Sequence, residues 1–181
     1  EFGACRDVTL EYPVAENEGE EDNTYLSYNM VVGNAADSQM AMAFEVLDYA
    51  LLSAPGAPLK QALLDVKAGK DVYGSYDDGI LQPYFTVIAK GSNPDRKEEF
   101  VSVIRQVLGD IVKNGIDKKA VEAGINYFEF RYREADFSSY PKGLMYSLDI
   151  LGDWLYEKGN PFAQVQPVSY THLTLPTILR V

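Results

Sequence analysis

The chain carries few of the side chains that a hydrolytic centre needs. Its 181 residues include one histidine, His172, and one cysteine, Cys5. A catalytic zinc ion takes about three protein ligands, usually histidine and carboxylate, with a base beside the metal-bound water. A serine or cysteine nucleophile likewise needs a histidine base. We therefore expect no catalytic residue and no metal ligand in the chain unless His172 itself serves, and no substrate-binding residue can be assigned.

Two adjacent carboxylates, Asp77 and Asp78, offer a weaker possibility. Carboxylates in a glycine-bounded turn can hold a hard cation such as Ca²⁺ or Mg²⁺, and Gly79 follows this pair. Aspartate and glycine are also the residues that surface turns prefer, so a simple turn is the favoured interpretation. No G-x-G-x-x-G or P-loop string occurs in the sequence, which leaves no candidate phosphate-binding loop.

The composition indicates a folded, strongly acidic chain. Hydrophobic residues make up 46% of it, which excludes a disordered polymer, and the length suits one domain. The net charge of −11 argues against nucleic acid or an anionic membrane as a partner. Most surpluses of acidic residues only improve solubility, although an acidic surface would also suit a chamber that receives basic peptides. With a single cysteine nothing points to an oxidising compartment, and no apolar run of about 18 residues predicts a membrane span. We expect a bacterial, cytoplasmic protein.

Four strands are expected from the apolar patterns. Alternation of Val8, Leu10 and Tyr12 with polar residues predicts the first strand, and the aromatic and β-branched run at residues 24–33 predicts a second, buried strand. Residues 71–76 and 84–90 are the other two. An acidic loop at residues 15–23 separates the first strand from the second.

Five helices are expected from apolar stripes at helical spacing. The first begins at Asp37 or Ser38 and ends before the proline-containing residues 53–58, and a short one follows at residues 59–69. The others begin near Asn93, at Asp117 and near Pro141. Their stripes are Met40, Phe44, Leu47 and Leu51; Phe100, Ile104, Val107 and Ile111; Val121, Ile125, Phe128 and Tyr132; and Leu144, Leu148, Leu151 and Leu155. The order of strands and helices predicts an α+β fold rather than regular βαβ alternation.

Several strings in the sequence resemble one protein family. They include "VTLEYPV", "NTYLSYNMVVG", "YALLSAPGAPLKQALLDVKAGKDV", "FTVIAKG" and "GDIVKNGIDKKAVEAGINYFEFRYRE", followed by "PKGL" and "WLY". In this order they resemble the second domain of the presequence-protease branch of the insulinase-like, or pitrilysin-type (M16), zinc metallopeptidases. The resemblance covers residues 8–162. It implies an antiparallel sheet packed on one face by helices.

The resemblance also implies how such a domain serves its parent protein. These proteases have homologous α+β domains in two halves that close around a peptide. Their zinc site lies in the first domain, on an inverted H-x-x-E-H motif with a further glutamate. This sequence contains no H-x-x-E-H, so no catalytic or metal residue carries over. We expect zinc only in the parent, and as partners the catalytic domain, the second half of the parent chain and peptide substrates.

The last segment, residues 167–181, departs from the rest of the chain. It contains no acidic residue and one basic residue, Arg180. Its string "VSYTHLTLPT" resembles the translation of a transposase sequencing adapter, so His172 is not expected to belong to the natural protein. The sequence thus predicts residues 1–23 as a linker or the end of a preceding domain with one strand, residues 24–166 as the non-catalytic peptidase domain, and residues 167–181 as an artefact.

Three functions remain open at this level. The first is a piece of a zinc metalloendopeptidase that degrades peptides in a closed chamber, this piece forming a chamber wall without catalysing the reaction. The second is a catalytically inactive scaffold homologue of the same superfamily, and the third is an independent α+β binding module. The upstream coding sequence separates them: an intact H-x-x-E-H supports the protease, a degraded one the scaffold, and a nearby start codon the module.

Overall fold

A computed structural model describes residues 4–15, 19–35, 37–134 and 139–156. Within these ranges the strands and helices alternate irregularly, as an α+β fold requires. The strands are β1 (Thr24–Val31), β2 (Asp71–Asp77) and β3 (Tyr84–Ser92). The helices are α1 (Ser38–Asp48), α2 (Pro58–Asp65), α3 (Lys97–Asn114), α4 (Lys118–Glu134) and α5 (Lys142–Leu155), with a π-helical turn at Tyr49–Ser53 and a 3₁₀ turn at Pro94–Arg96.

The three strands form one antiparallel sheet in the order β1-β3-β2. Tyr28 of β1 and Gly74 of β2 both lie opposite Val87 of β3. Because β3 is hydrogen-bonded on both sides, it is the most buried of the strands, and Phe85, Val87 and Ala89 are all buried. The central strand therefore carries most of the sheet's share of the core.

Helices cover one face of this sheet. In β1 and β2 exposed residues alternate with more buried ones, as expected when only one face is packed. The buried strand residues join helical side chains in one core. Its main members are Leu26, Val72, Phe85, Val87 and Ala89 from the strands and Leu51, Leu52, Leu59, Leu63, Phe100 and Ile104 from the helices and the π-turn. The expectation of an antiparallel sheet packed on one face by helices is confirmed.

Two strand predictions need correction. Residues 5–15 belong to no strand, and Val8 and Leu10 are 70% and 84% exposed. Their alternation did not produce a strand because no described strand pairs with this segment, and a strand requires a hydrogen-bonded neighbour. The prediction of a buried strand at residues 24–33 also fails in part, since β1 ends at Val31 and only Leu26 within it is buried. The strand is half-exposed because the face opposite the helices is open.

The chain after α1 packs closer to the sheet than the apolar stripe indicated. The helix ends at Asp48 and continues as the π-turn, whose Leu51 and Leu52 are buried. Gly74 lies beneath it, and a Cβ there would lie 2.3 Å from Leu52 Cδ1 and 2.5 Å from the backbone oxygen of Thr86. Both distances are below any van der Waals contact, so the turn can approach the sheet only because residue 74 is glycine.

Asp48, at the end of α1, is held in an unfavourable environment. One of its carboxylate oxygens, Oδ1, is buried and has no hydrogen-bond partner among the described residues. Burial raises the pKa of Asp48 to about 6, because desolvation disfavours the charged carboxylate. Such an unpaired group lowers the stability of the fold unless something outside the described residues binds it.

The later helices bury different fractions of their predicted stripes. In α3, Phe100 and Ile104 are buried, and in α4, Val121 and Ile125 are buried against α1. In α5, by contrast, all four leucines of the stripe are exposed, at 49% to 71%. The stripe exists as predicted, but among the described residues nothing covers it. The side chain of Tyr132 and the whole of residues 167–181 lie outside the described part of the structure.

Candidate functional site

Metal-ligand chemistry is not assembled in the described ranges 4–15, 19–35, 37–134 and 139–156. They contain no group of three or more histidine, cysteine, aspartate or glutamate side chains close enough to hold a metal ion. Cys5 is exposed and free, and His172 lies outside the described residues. The exposed surfaces of the sheet and helices already described are the remaining candidates for a functional site.

The carboxylate pair at Asp77 and Asp78 closes a turn. Asp77 Oδ1 accepts a hydrogen bond from the backbone N–H of Gly79 at 3.0 Å, and its Oδ2 accepts one from the Tyr84 hydroxyl at 3.0 Å. That hydrogen bond and the nearby charge raise the pKa of Tyr84. Both oxygens of Asp77 are engaged within the protein, which fits the turn interpretation better than a cation site.

The candidate functional site is the face of the sheet that the helices leave open, which we call the open face. It carries Tyr25, Ser27, Asn29 and Val31 from β1, Tyr73 and Ser75 from β2, and Thr86, Ile88 and Lys90 from β3. Tyr25, Val31 and Tyr73 are exposed large side chains. Aromatic rings with a polar end combine apolar contact area with a hydrogen-bonding hydroxyl, so this face can contact a polypeptide.

A chain of hydrogen bonds fixes the polar residues of the open face. Thr86 donates its hydroxyl to Asn29 Oδ1 at 2.8 Å across the β1–β3 ladder. Asn29 Nδ2 donates in turn to Ser27 Oγ at 2.9 Å. Residues two apart on one strand lie on the same face, so Ser27 and Asn29 share this side with their cross-strand partner. The network orders the polar part of the surface without covering it.

An aromatic cluster borders the open face at the β1 edge. The ring of Tyr12, in the N-terminal segment, meets Tyr25 edge-on with 5.9 Å between ring centroids. The ammonium group of Lys90 lies 5.9 Å from the centroid of the same Tyr25 ring, within reach of a cation–π contact. The N-terminal segment is also anchored to α3 by an ion pair between Asp7 and Lys97. It therefore lies beside the open face although it forms no strand.

A second aromatic contact joins α4 to the π-turn. Tyr127 stacks on Tyr49 with 4.9 Å between ring centroids and an interplanar angle of 19°. The helical pattern had placed Tyr127 away from the core stripe, on a face for solvent or an interface. Gly124, one turn earlier, allows the approach, because a Cβ there would lie 3.2 Å from the Tyr49 ring. The glycine one turn before the tyrosine was the sequence signal for this close packing.

The open face itself was missed at the level of sequence. The aromatic and β-branched content of residues 24–33, which include β1, led to the prediction of a buried strand. In β1 the strict alternation of Leu26, Tyr28 and Met30 with Ser27 and Asn29 carries the period of a half-exposed strand. Counting that period would have assigned the polar residues to an open side.

The length and hydropathy of the helices bear on whether one of them could span a membrane. Within the part of the chain that the structure describes, no helix combines the length and the apolarity that crossing a bilayer demands.

Comparison with known proteins connects this fold to a family. A family model described as the peptidase M16 inactive domain matches residues 5–128. Protein HypA of Clostridium perfringens is 41% identical over 165 residues, which is 91% of this chain and 17% of that protein. Presequence protease 1, chloroplastic/mitochondrial, of Arabidopsis thaliana is 33% identical over 136 residues, 75% of this chain and 12% of that protein. The chain spans less than a fifth of the length of these relatives.

Solved structures share the fold at low sequence identity. The inactive peptidase domain of a proposed zinc protease from Bordetella parapertussis aligns with a TM-score of 0.67 and 16% identity, covering 86% of this chain and 82% of that one. A proposed M16-like peptidase from Alicyclobacillus acidocaldarius aligns with a TM-score of 0.53 and 20% identity, covering 86% of this chain and 36% of that one. At such identities the likeness concerns the fold alone.

The family match covers well over half of the chain and extends from the N-terminal segment into α4. It names the inactive domain, and the relatives at 33% and 41% identity include a presequence protease. The resemblance to a second, non-catalytic domain of this group, drawn from the sequence strings, is confirmed. This chain belongs to the peptidase M16 family and contains its inactive domain.

Proposed function

We propose that this chain is part of a zinc metalloendopeptidase that degrades peptides in a closed chamber, and that its open face forms part of the chamber wall. The observation that carries the proposal is the one-sided sheet. Helices cover one face, while the other presents Tyr25 and Tyr73 beside an ordered polar network. A flat surface of this kind suits extended peptides of varied sequence, because tyrosine rings and backbone-like polar groups do not demand one side chain.

The chemistry in this proposal belongs to another part of the parent. The zinc ion and its base would lie in the catalytic domain that precedes this one, since the described residues hold no cluster of metal ligands. The inactive domain contributes enclosure: a closed chamber excludes water and keeps the peptide near the metal. The net charge of −11 favours basic peptides inside such a space through long-range attraction. We place the parent in the bacterial cytoplasm.

The leucine stripe of α5 suits a contact within the parent protein. Leu144, Leu148, Leu151 and Leu155 step by four, three and four residues and form one apolar line along the helix. A line of four exposed leucines is uncommon on the surface of an independent domain, where large apolar patches mark contacts. We propose that the catalytic domain or the second half of the parent chain packs on it.

A cross-linking experiment tests the chamber wall. A photoreactive phenylalanine replaces Tyr73 on the open face or, as the control, Val112, which is 82% exposed on α3. The host is a chimaera in which this chain replaces the matching segment of the Arabidopsis protease, and only a chimaera that retains peptidase activity is used. A basic peptide substrate should cross-link to position 73 and not to position 112.

The outcomes of this experiment decide the proposal. Equal labelling at both positions, labelling at position 112 alone, or none at position 73 would show that the peptide does not meet the open face. Failure of every folded chimaera to cleave peptides would favour the scaffold homologue, because a wall of the right shape should restore an enclosed chamber. Cross-linking of the peptide to position 73 in the isolated chain, outside the chimaera, would favour the independent binding module.

A further inference from the structure

A cavity of about 320 Å³ lies where β3 ends and the chain turns toward α3. Its lining is unusual for so acidic a protein, because it carries three basic side chains and one carboxylate. The lining residues are Asp22, Lys67, Gly69, Lys70, Gly91, Ser92, Asn93 and Arg96. In a chain of net charge −11 this is a local concentration of positive charge, which attracts anions.

The backbone around the cavity depends on two glycines. Gly91 is the extra residue of a β-bulge, because Thr24 pairs with Ser92 and Tyr25 with Lys90, and its φ of +69° favours glycine. A Cβ at Gly69 would lie 2.6 Å from the Lys90 backbone oxygen. The glycines let the ends of β2 and β3 approach closely, and the bulge turns Ser92 out of the regular register.

Lys67 stands in a backbone position that ordinarily selects glycine or asparagine. It follows α2 with a φ of +54°, and its N–H bonds the carbonyl of Leu64 at 2.9 Å in a left-handed helix cap. A lysine there is strained without any gain to the cap. What it provides is a cationic side chain in the cavity lining, and within the described residues no carboxylate forms an ion pair with it.

Ser92, which also lines the cavity, carries an unused hydrogen-bond donor. The residue is 3% exposed, and its hydroxyl oxygen has no hydrogen-bond partner among the described residues. Buried hydroxyls are nearly always paired, since an unpaired one loses its hydrogen bonds to water without replacement. Arg96 also has donors to spare, because among the described residues only its guanidinium Nη1 has a partner, Glu99 Oε2 at 2.8 Å, and a guanidinium carries five N–H groups.

Asp22, the one carboxylate in the lining, is already satisfied. Its Oδ1 accepts a hydrogen bond from Asn93 Nδ2 at 2.8 Å, and its Oδ2 lies 3.4 Å from Lys70 Nζ. These contacts, the amide of Asn93 first and then Lys70, lower the pKa of Asp22, so it remains ionised. Asp22 neutralises Lys70, and the groups left for a ligand are Ser92, Lys67 and Arg96.

We propose that this cavity binds an oxyanion group, a phosphate or a carboxylate, with Lys67 and Arg96 as charge partners and with the Ser92 hydroxyl as hydrogen-bond donor after its side chain rotates toward the ligand. The three side chains come from the end of a strand, a helix cap and a 3₁₀ turn, so only the folded domain brings them together. The volume matches the lower end of small-molecule sites. The site is separate from the open face, and its existence does not depend on the proposed chamber.

Amide chemical shifts of the full chain, titrated with inorganic phosphate and separately with acetate at constant ionic strength, test the site. We expect saturable shifts at residues 67–70 and 91–96. Lys67→Gln and Ser92→Ala should each weaken the binding by roughly tenfold or more, as for a hydrogen bond to a charged group. Lys113→Gln is the matched control, because it removes the same charge from an exposed position on α3 outside the cavity. It should leave the binding within about twofold.

Each outcome decides the proposal. Saturation by phosphate alone assigns a phosphate group, saturation by acetate alone assigns a carboxylate, and saturation by both assigns an oxyanion site that accepts either group. Equal weakening by Lys67→Gln and Lys113→Gln would reduce the effect to general charge attraction and overturn the proposal. Unchanged binding in Ser92→Ala, or no saturation with either anion, would also overturn it. Thermal unfolding of each variant verifies the fold, and Ser92→Ala should be at least as stable as the original because it removes an unpaired buried hydroxyl.

Discussion

Replacing Asp48 by asparagine should stabilise the domain at neutral pH. The carboxylate lies at the end of α1 with Oδ1 buried and unpaired among the described residues, and burial raises its pKa to about 6 from 3.8. Asparagine has nearly the same shape and no charge, so it removes the cost of holding an ion in that position. The substitution therefore tests whether desolvation of Asp48 opposes folding.

The magnitude follows from the two pKa values. A difference between about 6 and 3.8 corresponds to about 3 kcal/mol at pH values above both. Because Asp48 is only partly buried, solvent screening reduces the expected effect to about 1–2 kcal/mol. The folded state binds the proton more tightly than the unfolded state, so this group favours folding below pH 3.8. Its contribution is lost as the pH rises to about 6.

Urea unfolding at several pH values measures this difference. The free energy of unfolding of Asp48→Asn should exceed that of the original protein by about 1–2 kcal/mol at pH 7, and the advantage should shrink as the pH falls from about 6 and vanish below 3.8. Asp110→Asn, an exposed aspartate of α3, controls for the change in net charge. A constant advantage at all pH values, or the same advantage in the Asp110 variant, would refute the role assigned to burial.

Three further predictions concern other parts of the chain. Gly74→Ala should destabilise the domain by about 3 kcal/mol in thermal or urea unfolding, because its Cβ would overlap Leu52, whereas Gly109→Ala, with open space around it, should be neutral or stabilising. Substituting the leucines of the α5 stripe by glutamine should reduce hydrophobic-dye binding and self-association in size-exclusion chromatography; an unchanged profile would show that the stripe is not the exposed surface responsible. Deleting residues 167–181 should change the melting temperature by no more than about one degree, since they offer no periodic apolar stripe; a loss of several degrees would contradict this.

The sequence predicted the helices and the fold class well because their signals are local. The stripes of α3 and α4 repeat every three or four residues, and proline or glycine bounds several of the helices. Strand pairing was harder to predict from the sequence, because a strand depends on a neighbouring strand that lies far along the chain. Residues 5–15 have the alternation of a strand and no described partner, whereas β3 is buried chiefly because two strands flank it.

The two candidate binding surfaces differ in how far they could be foreseen. The open face could have been inferred from the period of β1, once a one-sided sheet was assumed. The cavity proposed to bind an oxyanion could not, because Lys67, Ser92 and Arg96 lie on separate elements and each is an ordinary surface or core residue on its own. The bulge at Gly91 and the left-handed cap at Lys67 help to bring these residues into the lining of one cavity.

β1 is an edge strand of the sheet, which has a consequence for the domain when it is produced alone. Within the described residues its outer backbone groups have no neighbouring strand, and the strand "TYLSYNMV" contains no charged residue. The other edge strand, β2, has Asp71 and Asp77 at its two ends. Their charges oppose the addition of another strand. Intermolecular strand addition, the first step toward insoluble β-aggregates, is therefore expected to begin at β1.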